Sequence, residues 1–272
     1  LHVCDFGLTD PQRHFLRRKG MLLEMPAGME GRPHPWHYKA ALGRYVANLS
    51  WDAVVWLDAD LIVLTDIGPR LAELYAGMRE CGHILAVAGT GATIGEQLTI
   101  ERAPQFASLV TRFDLDRRAL YVNSGFFLCR SAEFLLQWSA LCDTMTIETL
   151  FEQNAFNLVA LAKPGGVRIV DLLQWNLCGN HLGMARIEAS REAAVVVGPL
   201  GPAYILHATS PNRARDLVFV TMNVTVDGIA AAASLKMIAH PAGLREFQQL
   251  LVAEAIGADL PLLVESRLIS AE

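Results

Sequence analysis

The chain has 272 residues, 52% of them hydrophobic and 19% charged, with 23 Lys and Arg against 28 Asp and Glu for a formal net charge of −5. A chain this long and apolar buries a large core without staples, which excludes disorder, and an acidic balance with no basic run excludes a generic nucleic-acid binder. Five widely spaced cysteines (Cys4, Cys81, Cys129, Cys142, Cys178) form no CxxC pair, so they read as small core residues in a reducing compartment, not as a zinc knuckle or a disulfide framework.

Residues 1–4 predict a short strand, and Thr9-Asp10-Pro11 opens a helix that ends at Gly20, a cap residue with Pro at the first helical position. A second short apolar run covers 21–25, and 26–35, rich in Gly, Pro and charge, is a loop. Tyr38, Leu42, Tyr45 and Leu49 recur at the period of a one-sided helix over 36–49. Near-continuous apolar runs at 53–57 and 61–64 predict a strand buried on both faces, interrupted by Asp58-Ala59-Asp60. A helix over 66–78 follows, then a buried strand at 84–88 entering a Gly-rich loop at 89–95, then a helix over 101–113. Residues 121–129 form a strand broken by Asn123-Ser124-Gly125. Ser131 caps the next helix, and another runs over 151–162 and stops before Pro164. Short strands are expected at 167–170, 195–197 and 204–206, an apolar segment at 217–226, and helix-like stretches at 229–238 and 244–256. The longest uncharged stretch, 193–212, is interrupted by Gly198, Pro199, Gly201 and Pro202 and gives no membrane span. Strands alternating with helices predict one α/β domain built on a mostly parallel sheet.

The sharpest feature is the pair Asp58 and Asp60, stranded between apolar runs. A carboxylate in such surroundings is costly unless a cation accompanies it, and the pair stands at a strand end, where open α/β sheets place ligands. Hard oxygen ligands favour Mg²⁺ or Mn²⁺. The spacing alone decides little, because the thirteen Asp of the chain predict roughly 0.6 Asp-x-Asp by chance. A second copy, Asp114-Leu115-Asp116, sits among Arg112, Arg117 and Arg118 and reads as a solvated surface turn.

The strand entering and leaving Asp58-Ala59-Asp60 resembles the metal motif of GT-A-type nucleotide-sugar glycosyltransferases. Tyr121-Val122-Asn123-Ser124-Gly125-Phe126-Phe127-Leu128 is similar to the Asn-Ser-Gly strand of glycosyltransferase family 8 and its relatives. Glu152-Gln153-Asn154-Ala155-Phe156-Asn157 resembles the Asp-Gln-Asp-x-x-Asn segment that follows it, and Ile205-Leu206-His207 resembles the late strand whose histidine completes the metal site. Trp36-His37-Tyr38-Lys39 looks like the Trp-Lys helix before the metal strand, and Trp175-Asn176 like a semi-regular family position.

The resemblance spans residues 1–213 in the family's order. It implies a GT-A (Rossmann-like) α/β fold, a mixed, mostly parallel sheet flanked by helices. Residues 1–8 match the family's second strand, so the first strand and helix, and with them part of the base pocket, are expected to be missing. Residues 1–215 would be the catalytic domain and 216–272 a C-terminal helical extension packed on it.

Asp58, Asp60 and His207 would hold Mn²⁺ or Mg²⁺ against the diphosphate of a UDP-type sugar donor. Lys39, Ala59, Asn123, Ser124, Gly125 and Arg213 would line that donor, and Glu152 and Gln153 would be the catalytic residues against the sugar. The family has Asp where Glu152 and Asn154 stand, and Ser210-Pro211-Asn212-Arg213 replaces its Lys-Pro-Trp clamp. The implied activity is hexosyl transfer to a carbohydrate, lipid or protein hydroxyl with retention; for an inverting reaction Glu152 or Asp171 is the base. Two other readings are a sugar-phosphate nucleotidyltransferase, whose Gly-rich phosphate loop is not visible, and a catalytically degenerate GT-A-like binding domain. A cytoplasmic or membrane-peripheral location is expected.

Overall fold

The apolar runs around residues 87 and 126 become the two central strands of a four-stranded sheet. The computed structural model describes residues 1–163, 165–178, 181, 186–189, 194–198, 200–207, 217–226, 229–238 and 242–268. Its first half runs β1 (Val3–Cys4), α1 (Asp10–Arg18), β2 (Leu22–Leu23), α2 (Pro35–Ala40), α3 (Leu42–Tyr45), β3 (Val54–Leu57), β4 (Leu61–Val63), α4 (Gly68–Cys81), β5 (Leu85–Thr93), α5 (Ile94–Glu101), α6 (Pro104–Arg112) and β6 (Leu120–Cys129). There follow α7 (Ala132–Cys142), α8 (Phe151–Leu161), β7 (Val167–Val170), α9 (Leu172–Trp175), β8 (Leu177–Cys178), β9 (Arg186–Ala189), β10 (Ala194–Gly198), β11 (Gly201–Pro202), β12 (Ile205–His207), β13 (Leu217–Val226), β14 (Ile229–Ile238) and α10 (Ala242–Glu265).

The fold class is α/β, as the alternation of elements predicts. The main sheet has the order β3-β6-β5-β7. Strand β6 is antiparallel to both β3 and β5, and β7 is parallel to β5, so three strands run one way and β6 runs against them. Side chains alternate along β6, and both of its faces are covered. Phe127 and Cys129 join the layer of Phe134, Trp138 and Phe156, while Phe126 and Leu128 meet Leu74, Met78 and Trp175. The Trp138 indole N–H donates to the Glu152 carbonyl at 3.0 Å, which anchors the first turn of α8 in this core. A second sheet, β4-β12-β8, lies beside the main one in sequence and carries the late histidine.

Several expected elements differ, each for a local reason. Strands β3 and β4 are half-buried, with Val55 and Val63 exposed, because β3 is an edge strand of its sheet among the described residues. The helix expected over 36–49 is two short helices hinged at Ala41, and Gly43 lets α3 approach α7 so closely that a Cβ would lie 3.0 Å from that of Leu135. The helix expected over 101–113 is divided between α5 and α6 by Arg102, at a left-handed φ of 53°, and by Pro104, which cannot continue a helix begun upstream. The Gly-rich loop is the end of β5, which runs on to Thr93.

The C-terminal stretch is not wholly helical. Residues 229–238 form β14, paired antiparallel with β13 from Leu217↔Ile238 to Val226↔Ile229, and this pairing overrides the helix propensity of an Ala-rich run. The helix expected over 244–256 lies within α10, which ion pairs Arg18–Glu265 and Lys19–Asp259, both at 2.6 Å, tie to α1. Cys129 and Cys142 are buried as expected, whereas Cys81 is exposed at the end of α4. The Asp114–Asp116 segment is a surface turn, with Asp114 at φ 53° and Asp116 paired to Arg118 at 3.1 Å. Among the described residues no helix is long and apolar enough to cross a membrane.

Candidate metal and donor site

The site is assembled where β3 ends. The β3–β6 pairing continues one residue past Leu57↔Phe126, through a 2.8 Å hydrogen bond from the Asp58 N–H to the Gly125 carbonyl. A tight turn, closed by the Leu61 N–H on the Asp58 carbonyl at 3.1 Å, carries Asp60 into β4. There Leu61 pairs with His207 of β12. Topology thus brings a histidine from late in the chain against both acids. Ligand atoms of Asp58, Asp60 and His207 all lie within 4.8 Å of one another, and His207 Nε2 is 3.3 Å from Asp60 Oδ1. Two carboxylates and one imidazole at this separation suit a divalent cation such as Mn²⁺ or Mg²⁺, and the residues present fit it. His207 is 4% exposed, and its ring occupies the space beside Gly125, where any Cβ would collide with it.

Beside the triad is a buried polar cluster. Lys39, on α2, is 6% exposed, so it is no solvated surface lysine. Its Nζ donates to Asp58 and to Ser124 Oγ, each at 3.0 Å, and lies 3.7 Å from Glu152 Oε1. Ser124 Oγ in turn donates to Glu152 Oε2 at 3.3 Å, and the Ser124 N–H donates to Gln153 Oε1 at 3.2 Å. Burial pushes the Glu152 carboxyl up to about 7, against the pull of Lys39 and with a further push from Asp58. Its Oε1 is buried without a hydrogen-bond partner. Asn123 Oδ1 accepts from the Gly125 N–H at 2.8 Å, closing the β6 segment on itself, and Ala59 is exposed at the tip of the acidic turn.

Some of the positioning lies outside the sequence motifs. Trp56 donates its indole N–H to Asp58 Oδ1 at 2.6 Å. Trp56 and Asp58 are two residues apart on one extended segment and therefore share a side, a period-two signal present in the sequence. Asn154 and Asn157 are struts between α8 and β6. Asn154 accepts from the Tyr121 hydroxyl at 2.6 Å and donates to Glu101 at 3.0 Å; Asn157 satisfies both the N–H and the carbonyl of Val122, at 2.8 and 2.9 Å. Arg44 holds the loop before α2, donating to the Ala27 carbonyl at 2.8 Å, and Asp171 caps α9 by accepting from the N–H groups of Leu173 and Gln174. Arg213 and its neighbours from Ser210 lie outside the described residues.

No family model and no curated protein sequence matches the chain. Among solved structures its fold is similar to that of the galactosyltransferase LgtC in complex with donor and acceptor sugar analogues, with a TM-score of 0.46 and 16% identity over 75% of this chain and 74% of that one. It is similar also to the bifunctional glycosyltransferase WbbM (TM-score 0.42, 12% identity, 60% of this chain and 28% of that one). A third is mouse xyloside xylosyltransferase 1 in its apo form (TM-score 0.36, 16% identity, 65% of this chain and 64% of that one). The likeness is one of fold.

Proposed function

We propose that the chain is a glycosyltransferase that moves a hexose from a nucleotide-diphosphate sugar, a UDP-sugar, to a hydroxyl of a carbohydrate, lipid or protein, with retention of anomeric configuration. One observation carries this reading: Asp58, Asp60 and His207 converge from three strands beside a buried lysine and an orphaned carboxylate oxygen.

Asp58, Asp60 and His207 hold Mn²⁺ or Mg²⁺, which when bound supplies Lewis-acid neutralisation of the departing diphosphate. Lys39, already fixed between Asp58 and Ser124, adds a cation on the donor side, and Arg213 would add a second. Ala59, exposed at the tip of the turn, presents almost no side chain, so the donor backbone can approach there, while Gly125 makes room for the His207 ring. Asn123 and Ser124 offer hydroxyl and amide groups to the sugar. Glu152 Oε1 is left to accept from a sugar hydroxyl, and Gln153, through its amide, braces both Ser124 and the ring. In the front-face reaction the acceptor O–H bond breaks as the bond from its oxygen to the anomeric carbon forms. The bond from that carbon to the phosphate oxygen breaks, and the proton passes to the leaving phosphate. No separate base is then required. Residues 1–215 carry this chemistry, with 216–272 as an appended segment.

Titration calorimetry with UDP, with and without Mn²⁺, tests the reading. Binding that needs Mn²⁺ and is lost in Asp58→Ala and Asp60→Ala supports it. Metal-independent UDP binding overturns it, and no UDP binding under either condition points to a degenerate domain.

A further inference from the structure

We infer that Asn176 is a positioning residue for His207, accepting the Nδ1 proton so that the imidazole lone pair stays on Nε2, toward the two acids. The inference rests on the cation site proposed above. Asn176 Oδ1 lies 2.8 Å from His207 Nδ1, both residues are buried, and the opposite ring nitrogen faces Asp60 at 3.3 Å. An amide oxygen only accepts, so the nitrogen facing it carries the proton, and in a neutral ring the other nitrogen is then the donor atom a metal takes.

The backbone holds Asn176 for this purpose from both sides. It ends α9, its N–H bonded to the Leu172 carbonyl at 3.0 Å, and the next residue, Leu177, enters β8, which pairs with β12 at Leu206↔Leu177 and His207↔Cys178. The preceding Trp175 stacks on Phe126 of the main sheet at 5.1 Å. The ring packs against Gly125, whose missing side chain makes room for it. The opposite amide orientation makes an opposite molecule. With Nδ2 toward the ring, the proton sits on Nε2, points at Asp60, and closes the site to a cation.

Long-range proton–nitrogen spectra of ¹⁵N-histidine-labelled protein, assigned with His207→Ala, read the tautomer directly, and Mn²⁺ titration reads its consequence. The expected result is a His207 ring protonated on Nδ1 in the metal-free chain and a loss of about 10- to 100-fold in Mn²⁺ affinity in Asn176→Leu. Asn176→Asp, which accepts the same proton, keeps or tightens the wild-type affinity. A merely structural role would lower the melting temperature in both variants without moving the tautomer. A wild-type ring protonated on Nε2, or Mn²⁺ binding unchanged in Asn176→Leu, overturns the inference while leaving the cation site intact. If wild-type protein binds no Mn²⁺, the cation site falls, and the tautomer spectrum still decides what Asn176 does.

Discussion

Gly125 is the residue whose replacement reports most directly on the site. Its backbone has no left-handed φ, so alanine is conformationally permitted and the whole cost comes from the space above it. An added Cβ would run into the His207 ring, stand 3.0 Å from its Nδ1 and 2.8 Å from Asn123 Oδ1. The ring cannot yield freely, because Nδ1 is held by Asn176 and its backbone is clamped between β4 and β8. Overpacking of this kind costs about 1–3 kcal/mol. Displacing a ligand ring should also weaken Mn²⁺ by about 10-fold or more, the scale seen when support of a ligand is lost. Gly89→Ala is the control: its Cβ would meet the Tyr121 carbonyl at 3.8 Å, an ordinary contact, and alanine in a strand is favoured over glycine by roughly 0.5–1 kcal/mol. Urea unfolding and Mn²⁺ calorimetry on both variants, and on Gly125→Ala in a His207→Ala background, give the answer. The alanine should be harmful beside the ring and harmless without it. A Gly125→Ala protein with wild-type stability and Mn²⁺ affinity would refute the packing argument.

Glu152 makes stability depend on pH. It keeps its proton to about 7 in the folded chain against 4.5 as the ordinary value, so its contribution is complete below about 4.5 and is lost as pH rises through 7. A shift of that size is worth about 3 kcal/mol, and Glu152→Gln should reduce the fall in stability between pH 4 and 8 in urea unfolding, leaving the smaller contribution of Glu101. Asn157→Leu strands the buried N–H and carbonyl of Val122 and should cost about 2–4 kcal/mol in the same assay. Asp116→Ala, in the exposed Asp-x-Asp copy, should leave both the unfolding midpoint and Mn²⁺ binding unchanged, in contrast to Asp60→Ala.

What the sequence disclosed, and what it withheld, follows from which interactions are local. Asp58 and Asp60 stood out because two acids inside an apolar run have no cheap structural explanation, and Ser131 and Pro11 marked helix starts through contacts within one turn. Lys39 did not announce its burial: a lysine on an amphipathic helix looks the same whether its partner is water or Asp58 nineteen residues on. Asn157 was equally silent, since its partner is the backbone of β6 rather than any side chain. Residues 229–238 were misread because a run of alanines satisfies a helix until an apolar strand is found to pair with it. The family-like order of motifs supplied His207, whose nearness to Asp60 arises only from the β4–β12 pairing.

The proposed donor is a polyanion, whereas the chain that would take it is acidic. Asp58 and Asp60 bring two carboxylates to the turn, Lys39 pairs with Asp58, and the buried Glu152 carboxyl lies beside them. On the proposed reading a diphosphate would face these carboxylates, and a divalent cation held between them would offset the repulsion. On the same reading cation binding precedes nucleotide binding and each raises the affinity for the other, which calorimetry with Mn²⁺ and UDP added in either order tests. The net charge of −5 is then no obstacle to the proposed donor, because the carboxylates of the turn are the groups that would hold the ion.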